Sequence, residues 1–414
     1  MHFRCLGLLV LLGLGTWGLA QKPAVPVAEG LEVHEWGVFR VHRDLDLANA
    51  DMKAIWDGLP KFIYGQVNGR QLPKHWQNLE IRDRPIVYFR TPKALEVQMK
   101  VEFPGGVPAV WWPGTQYPAI RQGNVIGPAP KAGAVADRLE WKLHLKEPPK
   151  VRRALAEPAV ETSHWFQTLR NVKADDVFAL VGEANFGYER EKFVYYDGLF
   201  PAGKWLDLKF EKERVGVVNR AKDPVHDVTV VDRQAGKVRV ARLSQLAAGA
   251  EVQNLEFVAA EANRWPQAGI ETLAAQLQGA GLNADEAKSL IELWKDELFL
   301  TEGVTLFYRI PQEVYERLLP LTLQPRPEKL VRVGLMHHAH CEPDLAERVA
   351  RLLKDLDSND FGVRQAAQRR LEEMGRAAYV ILARKLKDNP PLELRMRIEQ
   401  IIGKHAVESA LPKN

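Results

Sequence analysis

The stretch Leu95-Glu96-Val97-Gln98-Met99-Lys100-Val101-Glu102-Phe103 alternates apolar and polar residues without a break and stops at Pro104-Gly105-Gly106. Successive side chains of an extended chain point to opposite faces, so this segment is expected to be a strand with one wet face. Residues 139–146 (LEWKLHLK) repeat the pattern. Residues 228–232 and 238–242 flank a Gly-containing connection and read as a hairpin. Further β-type runs lie at 85–90, 192–197, 255–259, 305–310 and 330–335. Many short, hairpin-spaced strands without regular intervening helices predict antiparallel sheets packed as a sandwich. The fold class that follows is mainly β, an antiparallel β-sandwich-like domain with a few helices, over 31–338.

Two helices are expected late in that domain. Asn283 is a good N-cap with Glu286 three residues inside, and Ala287, Leu290, Ile291, Trp294 and Leu298 follow at helical spacing. A shorter helix is expected at 312–319, closed by Pro320.

After Glu342 the pattern changes to short, charged, amphipathic helices, expected at 343–354, 360–374, 376–387 and 391–405. Gly375 suits a helix C-terminus, and Asn389-Pro390 supplies a cap followed by a proline in the first turn. This makes 342–406 a small all-α module of αα-hairpins in series, with 407–414 a flexible tail.

At the other end, His2 and Arg4 precede the apolar run Leu6 to Leu14, and Gly18-Leu19-Ala20 offers small residues at the positions a signal peptidase reads. Residues 1–20 are therefore expected to be a cleaved signal peptide, 21–30 a linker, and the mature protein exported, periplasmic or extracellular. The apolar run is shorter than the roughly 20 residues a membrane span needs, and no later window supplies one. Loss of Cys5 with the leader leaves Cys341 alone, which excludes an intramolecular disulfide. The formal net charge is +4 with both signs interspersed. No basic block marks a nucleic-acid or anionic-membrane surface, so neither partner is expected.

The segments 356–367 (LDSNDFGVRQAA), 371–375 (LEEMG) and 392–401 (LELRMRIEQI) resemble the HEAT-like helical segments of many exported bacterial proteins. That resemblance implies an α-solenoid fragment used for packing or protein contacts, with no catalytic residues to carry over. The larger part is similar to an uncharacterised family of large exported bacterial proteins. The likeness rests on Val33-His34-Glu35-Trp36-Gly37-Val38-Phe39, on 84–89 (RPIVYF), 110–114 (VWWPG) and 191–198 (EKFVYYDG), and on the run from Trp294 to Pro311. It implies an exported, β-rich protein and no particular activity.

Three groups of residues could carry chemistry. His34 and Glu35, beside Trp36, could form a general base or a sugar-facing site; they could equally be polar groups that tie down a strand end. Glu161, His164, Trp165 and Arg170 form a mixed stretch that could line a cleft, with surface packing as the alternative. His337-His338-Ala339-His340-Cys341 is the densest His/Cys concentration in the chain. In an extended segment His338 and His340 would face one way and His337 and Cys341 the other, so His338, His340 and Cys341 are candidate ligands for zinc or copper, with His337 or His405 completing a set. The alternative is a polar joint with a buried thiol and no cofactor. Asp355-Leu356-Asp357-Ser358-Asn359-Asp360 resembles the opening of a calcium loop but has Asp360 at the glycine position and Ala366 at the twelfth, so a helix cap accounts for it better.

No nucleophile elbow, P-loop, dinucleotide fingerprint or helical zinc motif is present. The function expected is that of a non-catalytic interaction protein whose helical module contacts a partner protein. The alternative is a secreted hydrolase, glycan-directed or metal-dependent, with its site near His34 and Glu35.

Overall fold

A computed structural model describes residues 26–41, 59–65, 79–83, 85–121, 124–126, 136–150, 154–162, 164–181, 187–201, 203, 205–212, 214–234, 236–261 and 263–410. The expected signal peptide and residues 411–414 lie outside the described residues. The strands that matter here are β1 (Val27–Val41), β2 (Ile86–Arg90), β3 (Leu95–Glu102), β4 (Val107–Trp112), β5 (Arg138–Leu145), β6 (Val177–Leu180) and β7 (Tyr188–Glu191). They continue with β8 (Val194–Pro201), β9 (Val225–Gln234), β10 (Lys237–Leu246), β11 (Gly303–Ile310), β12 (Leu321–Gln324) and β13 (Arg326–His338). The helices are α1 (Trp165–Arg170), α2 (Gln267–Gly279), α3 (Ala284–Lys295), α4 (Gln312–Leu318), α5 (Leu345–Leu356), α6 (Phe361–Met374), α7 (Arg376–Lys387) and α8 (Leu392–Ala410).

The protein is mainly β, with a helical C-terminal region, and the expected sandwich is present. An eleven-stranded sheet carries β10, β9, β11, β13 and β1 in succession and continues through Leu79–Asp83 to β8 and β4, with β2 bonded to β1 and β8. A five-stranded sheet runs β7, β6, β5, β3, β12. The alternation of β3 and β5 does what it predicts: Val97, Met99, Val101, Leu139, Trp141, Leu143 and Leu145 turn inward and are buried. They meet Val33, Phe39, Val194 and Tyr196 of the large sheet in one core.

The opposite face of the large sheet is also covered. Trp36, Val38, Tyr88, Phe307 and Leu335 pack beneath α1, α2 and α3 through Phe166, Leu273, Leu290 and Trp294. The large sheet is thus a middle layer, and its central strand β1 is buried almost throughout from Val33 to Arg40. One pairing departs from the antiparallel expectation. β1 runs parallel to β13, in register from Val33 opposite Leu330 to Val41 opposite His338, so the first strand of the region is stitched to its last. Residues 27–30, expected as linker, already belong to β1.

The Asn283 cap forms the full capping box: its side chain accepts from the backbone inside the helix, and Glu286 Oε2 accepts from the Asn283 amide at 2.9 Å. Helix α2 was not expected, although Ile270, Leu273, Ala274 and Leu277 have helical spacing. Helix α8 reaches Ala410, past the helix end expected at 405 and into the stretch 407–410 expected as tail.

The C-terminal helices have their own core, in which Val349, Leu353, Leu371, Ala378, Leu382, Ile398 and Ile401 meet. Their link to the β region is ionic and peptidic. Arg370 pairs with Glu302 at 2.9 Å and Arg348 with Glu342 at 2.6 Å. The second Glu342 oxygen accepts the Val304 amide at 2.8 Å, while the Cys341 amide donates to the Val304 carbonyl at 2.8 Å. The module therefore docks on the β region at the start of β11.

Candidate functional site

His34 and Glu35 are adjacent on β1, so the period of two sends them to opposite faces of the large sheet, and both are fully buried. His34 faces the helical side, where its Nδ1 lies 2.8 Å from Glu286 Oε2. Arg90 donates to the other Glu286 oxygen at 2.8 Å. Burial by itself would push the Glu286 carboxyl up, but the hydrogen bond and charge of His34, with Arg90 behind, outweigh burial and hold its pKa below the usual carboxylate range. An ionised carboxylate only accepts, so His34 Nδ1 is the donor.

Glu35 faces the sandwich core. It accepts from Tyr196 Oη on β8 and from Arg332 Nε on β13 at 2.5 Å. Arg332 also donates to the Leu319 carbonyl at 2.7 Å, and its guanidinium lies 4.3 Å from the Tyr315 ring centroid. Burial would lower the Arg332 pKa, but Glu35 raises it, so the guanidinium stays charged. The two candidates for a hydrolytic site thus lie on opposite faces of the sheet, each buried among its own partners. They bind β1 to its neighbours: one to the N-terminus of α3, the other to β8 and β13.

The Arg170 side chain is 5 % exposed, and its partner lies on β7. It meets Glu191 with Nη2 to Oε2 at 2.7 Å and Nε to Oε1 at 3.0 Å, and Trp112 Nε1 donates to the same carboxylate at 3.1 Å. Burial raises the Glu191 pKa, and the Arg170 hydrogen bond offsets that only partly. His164 is the N-cap of α1, its Nδ1 accepting from the Phe166 amide at 3.1 Å. His34, Glu35 and Arg170 therefore belong to three separate buried pairings.

The histidine run does not stay extended. His340 takes φ +53°, which ends the alternation beyond His338. Cys341 consequently lies on the side of His338: its thiol donates to the His338 carbonyl at 3.4 Å, and it packs in the sandwich core. His338 Nε2 lies 3.1 Å from Tyr308 Oη in that core. His337 points the other way, toward Trp294, with ring centroids 6.4 Å apart. Burial lowers its pKa to about 4. The expected grouping of His337 with Cys341 on one face is thus not the one observed. Among the described residues no group of three or more His, Cys, Asp or Glu is placed to hold a metal ion. Asp360 caps α6, its carboxylate accepting the Gly362 and Val363 amides at 2.7 and 3.1 Å, which accounts for the calcium-like run.

The partners Glu286, Arg332, Glu191 and Tyr196 were not singled out from the sequence. For Arg332 a signal exists: a lone cation inside the apolar run 330–336 (LVRVGLM) needs a buried carboxylate.

On the helical module, large apolar side chains stand in solvent. Phe361 is 65 % exposed, Leu392 72 % and Met396 60 %. Phe361, Gln365 and Arg369 of α6 line a groove of about 380 Å³ whose other wall is Arg397 and Gln400 of α8. Leu392, Met396 and Gln400 recur every fourth residue and so share one face of α8. Arg369 is exposed and has no ion-pair partner among the described residues.

No protein-family model matches the chain. No curated protein matches it either. Among solved structures, a yeast delta-COP-I mu-homology domain complexed with a Dsl1 WxWxV peptide aligns with 76 % of this chain and 98 % of its own, at 5 % identity and a TM-score of 0.25. A similarity of that size carries no argument about this chain. No helix among the described residues is long and apolar enough to cross a membrane.

Proposed function

We propose that the chain is an exported, non-catalytic interaction protein of the uncharacterised family it resembles, in which the β region carries the HEAT-like module and the module contacts a partner protein. The observation that supports this most is the exposure of Phe361, Leu392 and Met396 on α6 and α8. Burying a large apolar side chain is worth roughly 1.5–3 kcal/mol, so three of them left in water on a small module invite a partner that covers them. The occupant that fits is an amphipathic segment of another protein, with apolar anchors for Phe361 and Met396 and a carboxylate for Arg369. The Arg370–Glu302 pair and the Glu342 carboxylate on the Val304 amide suit such a role, because they fix the module on its carrier.

The test is quantitative affinity capture from an extracytoplasmic extract with the intact chain and with Phe361→Ser/Met396→Ser. Circular dichroism and melting serve as fold controls, and mass spectrometry of the captured chain checks for an N-terminus at Gln21. The double variant is expected to lose its partners. Recovery of the same partners by both proteins would sink the proposal.

A further inference from the structure

A different surface, sharing no residue with the module, offers a site for a small molecule. Between Ala28 and Glu32 the parallel pairing of β1 with β13 slips, so that Ala28 still faces Pro327 but Glu32 already faces Lys329. A bulge of this kind re-aims side chains and opens the ladder. Gly30 accommodates it at φ +72°, where an added Cβ would stand 2.7 Å from Pro92, and its freed amide donates to Glu328 Oε2 at 2.5 Å. The opening is a cleft of about 420 Å³ between β1, the end of β2 and the start of β13. That volume falls in the roughly 300–1,000 Å³ range of small-molecule sites.

Its walls carry both signs of charge. Arg90 and Lys329 are the cations, and Glu32, Asp175 and Glu328 the anions. Glu32 is kept ionised chiefly by the hydrogen bond from Lys329. Asp175 uses one oxygen to accept the Thr91 amide at 2.6 Å, and its other oxygen lies 3.7 Å from Lys146 Nζ. Behind the wall, His34 is fully buried, with Nδ1 committed to Glu286. Its Nε2 points at Glu32, 3.7 Å away, and has no hydrogen-bond partner among the described residues. Arg90 uses Nη2 on Glu286 and Nε on the Lys173 carbonyl, while its Nη1 is buried and likewise without a hydrogen bond.

We infer that this cleft binds a small zwitterion, a free amino acid or dipeptide, whose carboxylate is held by Arg90 and whose ammonium is held between Glu32 and Asp175. The choice follows from matching charge. A simple anion would bring its charge against three carboxylates, and a simple amine would meet the Arg90 guanidinium and the Lys329 ammonium. Only a ligand with both ends meets each wall with its complement, and unpaired charge is what rejects the others.

The test uses the full mature chain in isothermal titration and thermal melting, with L-glutamine, L-leucine and glycylglycine as zwitterions and acetate and propylamine as single-charge controls. At least one zwitterion is expected to bind and raise the melting temperature, with the controls inert. Asp175→Asn keeps the acceptor for the Thr91 amide while removing the charge, and Glu32→Gln does the same beside Lys329. Each is expected to weaken binding on the order of tenfold, the usual loss for a charged hydrogen bond. Arg90→Gln should abolish binding, and if it fails to fold the two carboxylate variants still decide. Absence of binding by all three zwitterions, equal binding of acetate or propylamine, or unchanged affinity in both carboxylate variants would each overturn the assignment.

Discussion

Arg332→Met separates a structural from a catalytic role for the buried carboxylate beside it. In the folded chain Arg332 is fully buried, donates to Glu35 and to the Leu319 carbonyl, and lies over Tyr315. Methionine keeps much of the volume but takes the guanidinium away from the Glu35 carboxylate, which still accepts from Tyr196. Removing one partner of a buried pair costs about 3–5 kcal/mol, because the other charge stays in an apolar core. Glu35→Gln/Arg332→Met removes both charges and should be the milder variant, with a coupling of about 2 kcal/mol or more. Guanidinium unfolding followed by tryptophan emission reads the effect in the right place, since the module after Glu342 carries no tryptophan and Trp36, Trp111 and Trp141 are buried in the β region. A loss below about 1 kcal/mol in Arg332→Met, or additivity in the double variant, would refute the reasoning. A general base would give the reverse outcome for Glu35→Gln, a stable protein with a lost activity.

Two further outcomes are expected. Glu302→Gln/Glu342→Gln removes the carboxylates that meet Arg370 and Arg348, so limited proteolysis should cut the stretch between β13 and α5 faster than in the parent chain, and equal cutting rates would show that the module is held by something else. Burial holds the His337 pKa at about 4 against an ordinary value of 6.5. The unfolded chain therefore binds this proton first, so the stability His337 contributes is full above about 6.5 and lost as the pH falls toward 4. Titrating stability in parallel for His337→Gln should show a shallower loss across that window, and superimposable curves would rule His337 out as a contributor.

How much could be read in advance depended on how many faces of a strand are buried. β3 and β5 have one wet face, and their alternation was plain; the same holds for the amphipathic α5 to α8 and for the Asn283 cap. β1 lies in the middle layer with both faces covered, so its burial runs through Val33, His34, Glu35 and Trp36 without alternation, and its polar residues cannot be sorted by pattern into wet and dry. A His-Glu pair in such a strand looks like chemistry because the sequence does not print the partners that neutralise it: Glu286 is more than two hundred residues away, and Arg332 nearly three hundred. Those separations are themselves a consequence of the fold. A first strand placed parallel to the last must be held in register, and a one-residue slip would turn His34 away from Glu286 and Glu35 away from Arg332, stranding buried charges on both faces. The buried polar residues of β1 therefore act as a register lock between the ends of the β region, and the bulge at Gly30 marks where that lock stops and the cleft begins.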